Sequence, residues 1–270
     1  MEINFNAYKP KEGHILVLKS LPADLVAARE HVEGGFKWPE KGKVTAPDWD
    51  KGRWCGNGLH GWKWGTGDAS LRVTDDDAKW LVLSVKEADI VELDGKIKFP
   101  TCQILYLGDR ETAVKIIQHY APAGTAIMFS TVTGGDHATV TGGNRATVTG
   151  GYRATVTGGD GATVTGGDGA TVTGGDGATV TGGDHATVAG GDWATVTGGD
   201  HATVAGGDRA TVTGGYGALL MFHFQQWVDG KGYEWKRKIA IVDGVNYLPG
   251  VKYRLLNDEI VAAPDQNEGE

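Results

Sequence analysis

The pattern of apolar and polar positions is most regular in the middle of the chain. Between residues 130 and 217 the octapeptide Ala-Thr-Val-Thr-Gly-Gly-Asp-x recurs eleven times, with small departures from the consensus. Ala and Val alternate with Thr, which is typical of a β-strand with one buried face. Gly-Gly-Asp-x is typical of a turn in which the glycines take positive φ angles. One copy cannot bury its own Ala and Val, so the repeat predicts a β-solenoid of stacked copies.

The irregular positions of the repeat indicate how many copies form one coil. Ala189 and Ala205 replace the second Thr and lie two octapeptides apart, and His185 and His201 are separated by the same distance in sequence. Departures that share this phase are expected when two octapeptides form one coil and alternate copies stack. We therefore predict a two-sided solenoid of about five and a half coils, roughly 26 Å long, with Ala and Val inside and Thr outside.

The region before the repeat has the mixed pattern of an α+β domain. Its apolar runs WLVLSV, DIVEL and CQILYL have the length of β-strands. A helix is predicted over residues 20–32, with Ser20 as its cap. A second helix is predicted to start after Asp109 and to stop before Pro122, because proline cannot continue a helix.

Beyond the repeat, β-rich runs alternate with Asp-Gly, Pro-Gly and Asn-Asp turn signals, which predicts an antiparallel β-meander. The fold is therefore predicted to be mainly β, with a solenoid whose exposed strand edges are covered at both ends. The predicted regions are an N-terminal α+β domain (1–125), the solenoid (126–220), a C-terminal β cap (221–262) and a disordered acidic tail (263–270).

Composition narrows the classes of partner. The formal net charge of −8 disfavours direct binding to nucleic acid or to an anionic membrane, since both repel an acidic surface. The two cysteines, Cys55 and Cys102, are too few for a disulfide framework and favour a reducing compartment. No run approaches the roughly 20 apolar residues that span a bilayer. We expect a cytoplasmic protein that needs no membrane, metal or cofactor.

The turns of the solenoid carry one set of candidate binding residues. Eight aspartates against three arginines make the repeat acidic. The aspartates are expected either to cap their turns or to present charge to a basic protein partner. Arginine and large aromatic side chains at the turns are candidate contact anchors. The predicted binding residues are Arg145, Tyr152, Arg153, Asp160, Asp168, Asp176, Asp184, Asp192, Trp193 and Arg209.

A second candidate site lies in the segment RWCGNGLHGWKWG, residues 53–65, which is predicted to be a loop. The thiol of Cys55 and the imidazole of His60 are able to form a nucleophile–base pair or to supply two metal ligands. The neighbouring Trp54 and Trp62 are equally typical of packing anchors. Both interpretations stay open on the sequence.

The order of these parts resembles a phage- and prophage-encoded family of uncharacterised function. Its members have an N-terminal domain with a Cys-x-x-Gly-(Leu/Phe)-His segment, then octapeptide repeats, then a β-rich cap; here the segment is CGNGLH, Cys55 to His60. The strands of this chain read Ala-Thr-Val-Thr, whereas those of the family are richer in Ser and Ala. The resemblance implies a solenoid and a phage context, hence a host cytoplasm, and it supplies no catalytic residues.

Three functions are compatible with the sequence. The first is a non-enzymatic interaction protein that binds and blocks a host or defence protein, itself basic or nucleic-acid-binding, much as a nucleic-acid mimic would. The second is ice binding, since Thr-x-Thr on stacked strands resembles ice-binding solenoids and the repeats of ice-nucleation proteins. The third is a small N-terminal enzyme with the solenoid as a spacer. A homodimer that packs through the flat Thr faces is also expected.

Overall fold

The computed structural model describes residues 3–27 and 35–263 of the chain. These fall into two compact units, Met1–Ser130 and Thr131–Glu270. The fold is mainly β, as the sequence predicts. The first unit is a β-sheet domain with one α-helix, and the second contains the solenoid and an antiparallel region after it.

Seven strands of the first unit form one antiparallel sheet in the order β4-β9-β6-β1-β5-β8-β7, and β2 pairs with β3. The strands are β1 (His14–Leu21), β2 (Val26–Ala27), β3 (Phe36–Lys37), β4 (Gly42–Thr45), β5 (Leu59–Lys63), β6 (Lys79–Lys86), β7 (Val91–Leu93), β8 (Lys96–Phe99) and β9 (Thr101–Gly108). Short 3-10 helices span Phe5–Tyr8, Ala69–Leu71 and Glu87–Asp89.

The helix predicted after Asp109 is present as α1 (Arg110–Tyr120). The side chain of Asp109 accepts a hydrogen bond of 2.8 Å from the backbone N–H of Thr112. This cap satisfies an N–H that has no partner within the helix, and it holds the pKa of the Asp109 carboxyl below its usual value. No helix among the described residues is both long and apolar enough to cross a membrane.

The helix predicted over residues 20–32 is wrong where the structure describes it. Ser20 belongs to β1, which pairs with β6 along its whole length, and a short strand occupies Val26–Ala27. Residues 28–34 lie outside the described residues. β1 is buried on both faces of the sheet, and this long-range pairing outweighs the local helix signals of the sequence.

The solenoid has two parallel sheets in which alternate octapeptides are hydrogen-bonded neighbours, and this 16-residue spacing confirms two octapeptides per coil. We call the sheet of even-numbered strands, β10 to β20, the even face, and the sheet of odd-numbered strands, β11 to β19, the odd face. The even face comprises β10 (Thr131–Thr133), β12 (Thr147–Thr149), β14 (Thr163–Thr165), β16 (Thr179–Thr181), β18 (Thr195–Thr197) and β20 (Thr211–Thr213). The odd face comprises β11 (Thr139–Thr141), β13 (Thr155–Thr157), β15 (Thr171–Thr173), β17 (Thr187–Ala189) and β19 (Thr203–Gly206).

The interior of the solenoid consists of stacked Ala and Val side chains. The inward Ala and Val residues from Val140 to Val212 are no more than 4% exposed, and all of them except Ala210 belong to one hydrophobic cluster. The predicted arrangement, with Ala and Val inside and Thr outside, is therefore confirmed. The core is thin, so its stability depends on close approach of the two sheets.

The turns differ from the prediction in where the positive φ angle falls. It falls on the variable residue after Asp, for example Gly177 (φ 63°), and not on the Gly-Gly pair. The Gly-Gly pair is required because a larger side chain has no room at either position. A Cβ on Gly174 would lie 2.5 Å from the Val180 Cγ2, and a Cβ on Gly175 would lie 2.2 Å from the Asp160 Oδ1.

The end of the solenoid is covered by two antiparallel hairpins. β21 (Leu219–Val228) extends the odd face beside β19 and pairs with β22 (Gly232–Ile241). β23 (Lys252–Leu256) pairs with β20 of the even face and with β24 (Glu259–Ala262). Each final solenoid strand therefore has an added neighbour from a hairpin. The tail residues 264–270 lie outside the described part of the chain.

Candidate functional site

The even face carries an uninterrupted grid of threonines. Each of its six strands presents two outward Thr side chains, and the parallel register places like positions side by side on neighbouring strands. Strands are spaced about 4.8 Å apart, and outward residues of one strand about 6.6 Å apart. Threonine is β-branched and its χ1 angle is restricted, so the grid is stiff. The twelve residues are Thr131, Thr133, Thr147, Thr149, Thr163, Thr165, Thr179, Thr181, Thr195, Thr197, Thr211 and Thr213.

The odd face changes from polar to apolar along the solenoid. In the column of second positions, Thr173 is followed by Ala189, Ala205 and then Met221 of β21. Ile239 of β22 lies opposite Met221 and is exposed. The two alanines therefore lie on the strands that approach this apolar hairpin. They interrupt the Thr grid on the odd face alone.

The turn aspartates form hydrogen-bonded ladders along the solenoid. The Oδ1 of Asp160 accepts a bond of 3.1 Å from the backbone N–H of Asp176, whose own Oδ1 accepts one of 2.9 Å from Asp192. On the alternate turns, Asp168 accepts in the same way from Asp184 at 3.0 Å. These carboxylates therefore join successive coils as well as supplying surface charge.

Asn144 stands at an Asp position of one ladder and carries no charge. Its Oδ1 nevertheless accepts a hydrogen bond of 3.0 Å from the N–H of Asp160, so the ladder does not require a carboxylate at every position. We expect Asp176→Asn to change the free energy of unfolding by less than about 0.5 kcal/mol, because the amide oxygen still accepts and one like charge is removed. Asp176→Ala leaves the Asp192 N–H without its acceptor and is expected to cost about 1 kcal/mol. Urea unfolding followed by circular dichroism measures both. A larger loss for Asn than for Ala would contradict the ladder.

The variable residues of the turns have positive φ angles even where they are not glycine, for example Arg145 (58°) and Trp193 (62°). Non-glycine residues in this region cost about 1 kcal/mol or more each. Trp193 is 61% exposed, and the guanidinium of Arg209 lies 4.5 Å from its ring centroid. On the alternate turns the rings of His185 and His201 stack at 5.3 Å.

The predicted binding residues of the solenoid are thus divided between two sets of alternate turns, and within each set the turns stack coil upon coil. One set holds Arg145, Asp160, Asp176, Asp192, Trp193 and Arg209. The other holds Tyr152, Arg153, Asp168 and Asp184. The structure therefore does not bring all ten into one surface.

The second candidate site is only partly a loop. Trp54 and Cys55 lie in a loop, whereas His60 and Trp62 are on β5, which extends the central sheet. All four line one cavity of about 660 Å³. Sequence reasoning missed Lys96, whose Nζ lies 3.1 Å from the Cys55 Sγ. The alternation in Lys96-Ile97-Lys98 is the signal that would have placed both lysines on one face of a strand.

No group of three or more His, Cys, Asp or Glu side chains among the described residues is arranged to hold a metal ion.

Comparison with known proteins connects the solenoid to ice nucleation proteins. One from Pseudomonas syringae is 37% identical over 101 residues, which is 37% of this chain and 8% of that protein. InaU of Pantoea ananas is 33% identical over 112 residues, 41% of this chain and 10% of that protein. The similarity is distant and partial, and it concerns the repeats.

The chain thus spans about a tenth or less of the length of these curated relatives. No protein-family model and no solved structure matches it. The relatives bear on the ice-binding hypothesis and do not bear on the phage interaction hypothesis.

Proposed function

We propose that the protein binds ice through the threonine grid of the even face. The proposal rests on one observation: six consecutive strands present Thr at both outward positions without interruption. Similarity to the repeats of ice nucleation proteins supports the same interpretation. The odd face is the weaker candidate, because Ala189 and Ala205 remove two hydroxyls from its grid.

The chemistry of threonine suits an ordered water layer. Its hydroxyl donates and accepts hydrogen bonds with water, while its methyl group favours ordered water around itself. Repetition at about 4.8 Å and 6.6 Å places these groups on a regular two-dimensional grid. Side chains with several free rotors would lose entropy when they adopt such a grid, whereas β-branched Thr is already restricted.

The size of the grid favours control of crystal growth over efficient nucleation. Six strands span about 24 Å at the usual strand spacing. A nucleating surface must stabilise an ice embryo large enough to grow, and a larger ordered surface does this at smaller supercooling. A small grid is still able to adsorb to an existing crystal. The expected activity is therefore ice shaping and thermal hysteresis.

Matched lysine substitutions on the two faces test the proposal. Thr165 and Thr181 are exposed neighbours on the even face, and Thr157 and Thr173 hold the same places on the odd face. We expect the double variant T165K/T181K to abolish ice shaping and thermal hysteresis, because two long charged side chains disrupt the grid. The double variant T157K/T173K is expected to retain most of the activity.

Circular dichroism establishes that both variants keep the fold. Round, unshaped ice discs with the unmodified protein would refute ice binding altogether. Equal loss in the two folded variants would refute the assignment to the even face.

A further inference from the structure

The cavity of the amino-terminal unit is a second candidate site, separate from the threonine grid. Its volume of about 660 Å³ is within the range of small-molecule sites. Trp38 is 2% exposed and lines it, and among the described residues the indole N–H of Trp38 has no hydrogen-bond partner. A buried donor without an acceptor is costly, so a ligand acceptor would satisfy it. The side chains that carry the argument are Lys19, Trp38, Trp54, Cys55 and Lys96.

The loop that carries Cys55 is held by a buried lysine. Lys98 is fully buried, and its Nζ donates to the carbonyl oxygens of Trp54 at 3.2 Å and of Gly56 at 3.4 Å, the residues on either side of Cys55. The ring centroids of Trp49 and Trp54 lie 5.9 and 5.4 Å from the same Nζ. Burying an ammonium group is expensive, so the loop has a defined conformation that this contact maintains.

The glycines of the loop are required by its backbone. Gly56 and Gly58 have φ angles of 105° and 138°, which favour glycine. A Cβ on Gly58 would also lie 3.0 Å from the ring of Trp49. The N–H of Gly58 donates to the Oδ1 of Asp48 at 3.1 Å, so this carboxylate, which also lines the cavity, has a partner within the loop.

Four of the side chains that line the cavity are donors that cannot accept: Lys19, Trp38, Trp54 and Lys96. Lys96 places its Nζ 3.1 Å from the Cys55 Sγ. Lys19 donates to the carbonyl oxygen of His60 at 3.1 Å, and its Nζ lies 5.0 Å from the ring centroid of Trp38. Lysine and indole N–H groups donate and do not accept, so they favour a ligand rich in acceptors. The exposed indole of Trp54 offers a flat apolar surface beside them.

We propose that this cavity binds a small anionic molecule with a planar ring, whose acid group lies against Lys96 beside Cys55. The ring lies against the indoles of Trp38 and Trp54. Aromatic carboxylates and nucleoside monophosphates share this chemistry, and the experiment below distinguishes them.

Alkylation of Cys55 provides a direct measure of anion recruitment. The other cysteine, Cys102, is buried, and burial raises its pKa to about 12, so Cys55 is the accessible thiol. Iodoacetate and iodoacetamide react through the same thiolate: the sulfur forms a bond to the CH₂ carbon and iodide leaves. The ratio of the two rates is therefore independent of thiol ionisation and reports how strongly the site attracts an anion.

We expect this ratio to be about tenfold higher for the protein than for glutathione, because a positive site concentrates the anionic reagent. Lys96→Gln is expected to return the ratio to the glutathione value. Lys43→Gln, on β4 at the opposite edge of the sheet, removes the same charge and is expected to leave the ratio unchanged. Intact-mass spectrometry measures the rates, and circular dichroism verifies the fold. Equal ratios for the unmodified protein and Lys96→Gln would overturn the proposal.

Protection experiments then test the ring. Adenosine monophosphate or 1-naphthoate is expected to slow alkylation by iodoacetamide at least about fivefold in a saturable manner, whereas adenosine and inorganic phosphate at the same concentration leave it unchanged. Protection by only one of the two acids identifies the phosphate or the carboxylate class. Equal protection by uncharged adenosine, or no protection by either acid, would overturn the proposal. None of these outcomes affects the ice-binding proposal, because that proposal concerns the threonines of the second unit.

Discussion

Val172→Asp is expected to unfold the solenoid around its central coils, whereas Thr171→Asp is expected to leave it folded. Val172 is fully buried and stacks between Val156 and Val188 of the neighbouring coils. A carboxylate there has no room for water and no cation to pair with, so we expect a loss of at least about 4 kcal/mol. Thr171 is exposed on the same strand, so the same new side chain remains in water.

Thermal unfolding followed by circular dichroism compares the two variants. Because each coil contacts only its neighbours, hydrogen exchange should also show the damage spreading from the substituted coil. Equal losses at positions 171 and 172 would contradict the assignment of inward and outward residues.

Gly174→Ala is expected to be nearly as damaging, although it adds only one methyl group. The new Cβ would lie 2.5 Å from the Val180 Cγ2 and 2.7 Å from the Ala178 Cβ, so the two sheets would have to separate. Overpacking of a close-packed interior costs about 1–3 kcal/mol, and the thin core has little freedom to adjust. We therefore expect a loss near the upper end of that range.

The matched control is Gly177→Ala in the same turn. A Cβ there meets nothing within 4 Å, and the only cost is the positive φ angle of 63°. That cost is about 1 kcal/mol. Urea midpoints of the two variants measure the difference. A greater loss at Gly177 than at Gly174 would show that backbone conformation, and not space, fixes the glycine pair.

The solenoid was predictable because its information is local and repeated. Ala189 and Ala205 indicated a coil of two octapeptides from the sequence, and alternation indicated the buried positions. The role of Gly174 was not predictable in the same way. Its constraint comes from the Val180 side chain of the next octapeptide, and the sequence alone does not show how closely the two residues approach.

The amino-terminal unit was harder to predict because its strands pair with partners that are distant in sequence. Ser20 pairs with Trp80, which is far away along the chain, and the residues near Ser20 do not indicate that pairing. The helix after Asp109 was predictable because its cap and its stop lie within the same short segment. At the cavity the sequence indicated Cys55 and His60. It could not indicate that Lys96 and Lys98 of a later strand meet the same loop.

The near-identity of the coils also has a consequence for how the chain finds its register. Residues 154–177 are three identical copies, so a strand there pairs equally well with any neighbour of the same face, and a slip by one whole coil leaves every Ala and Val inside. The native number of coils is distinguished by features unlike the repeat, among them the contact of Arg209 with Trp193, the stacked rings of His185 and His201, and the hairpins that pair with β19 and β20. We therefore expect the irregular copies and the C-terminal hairpins to fix the register of the identical coils during folding.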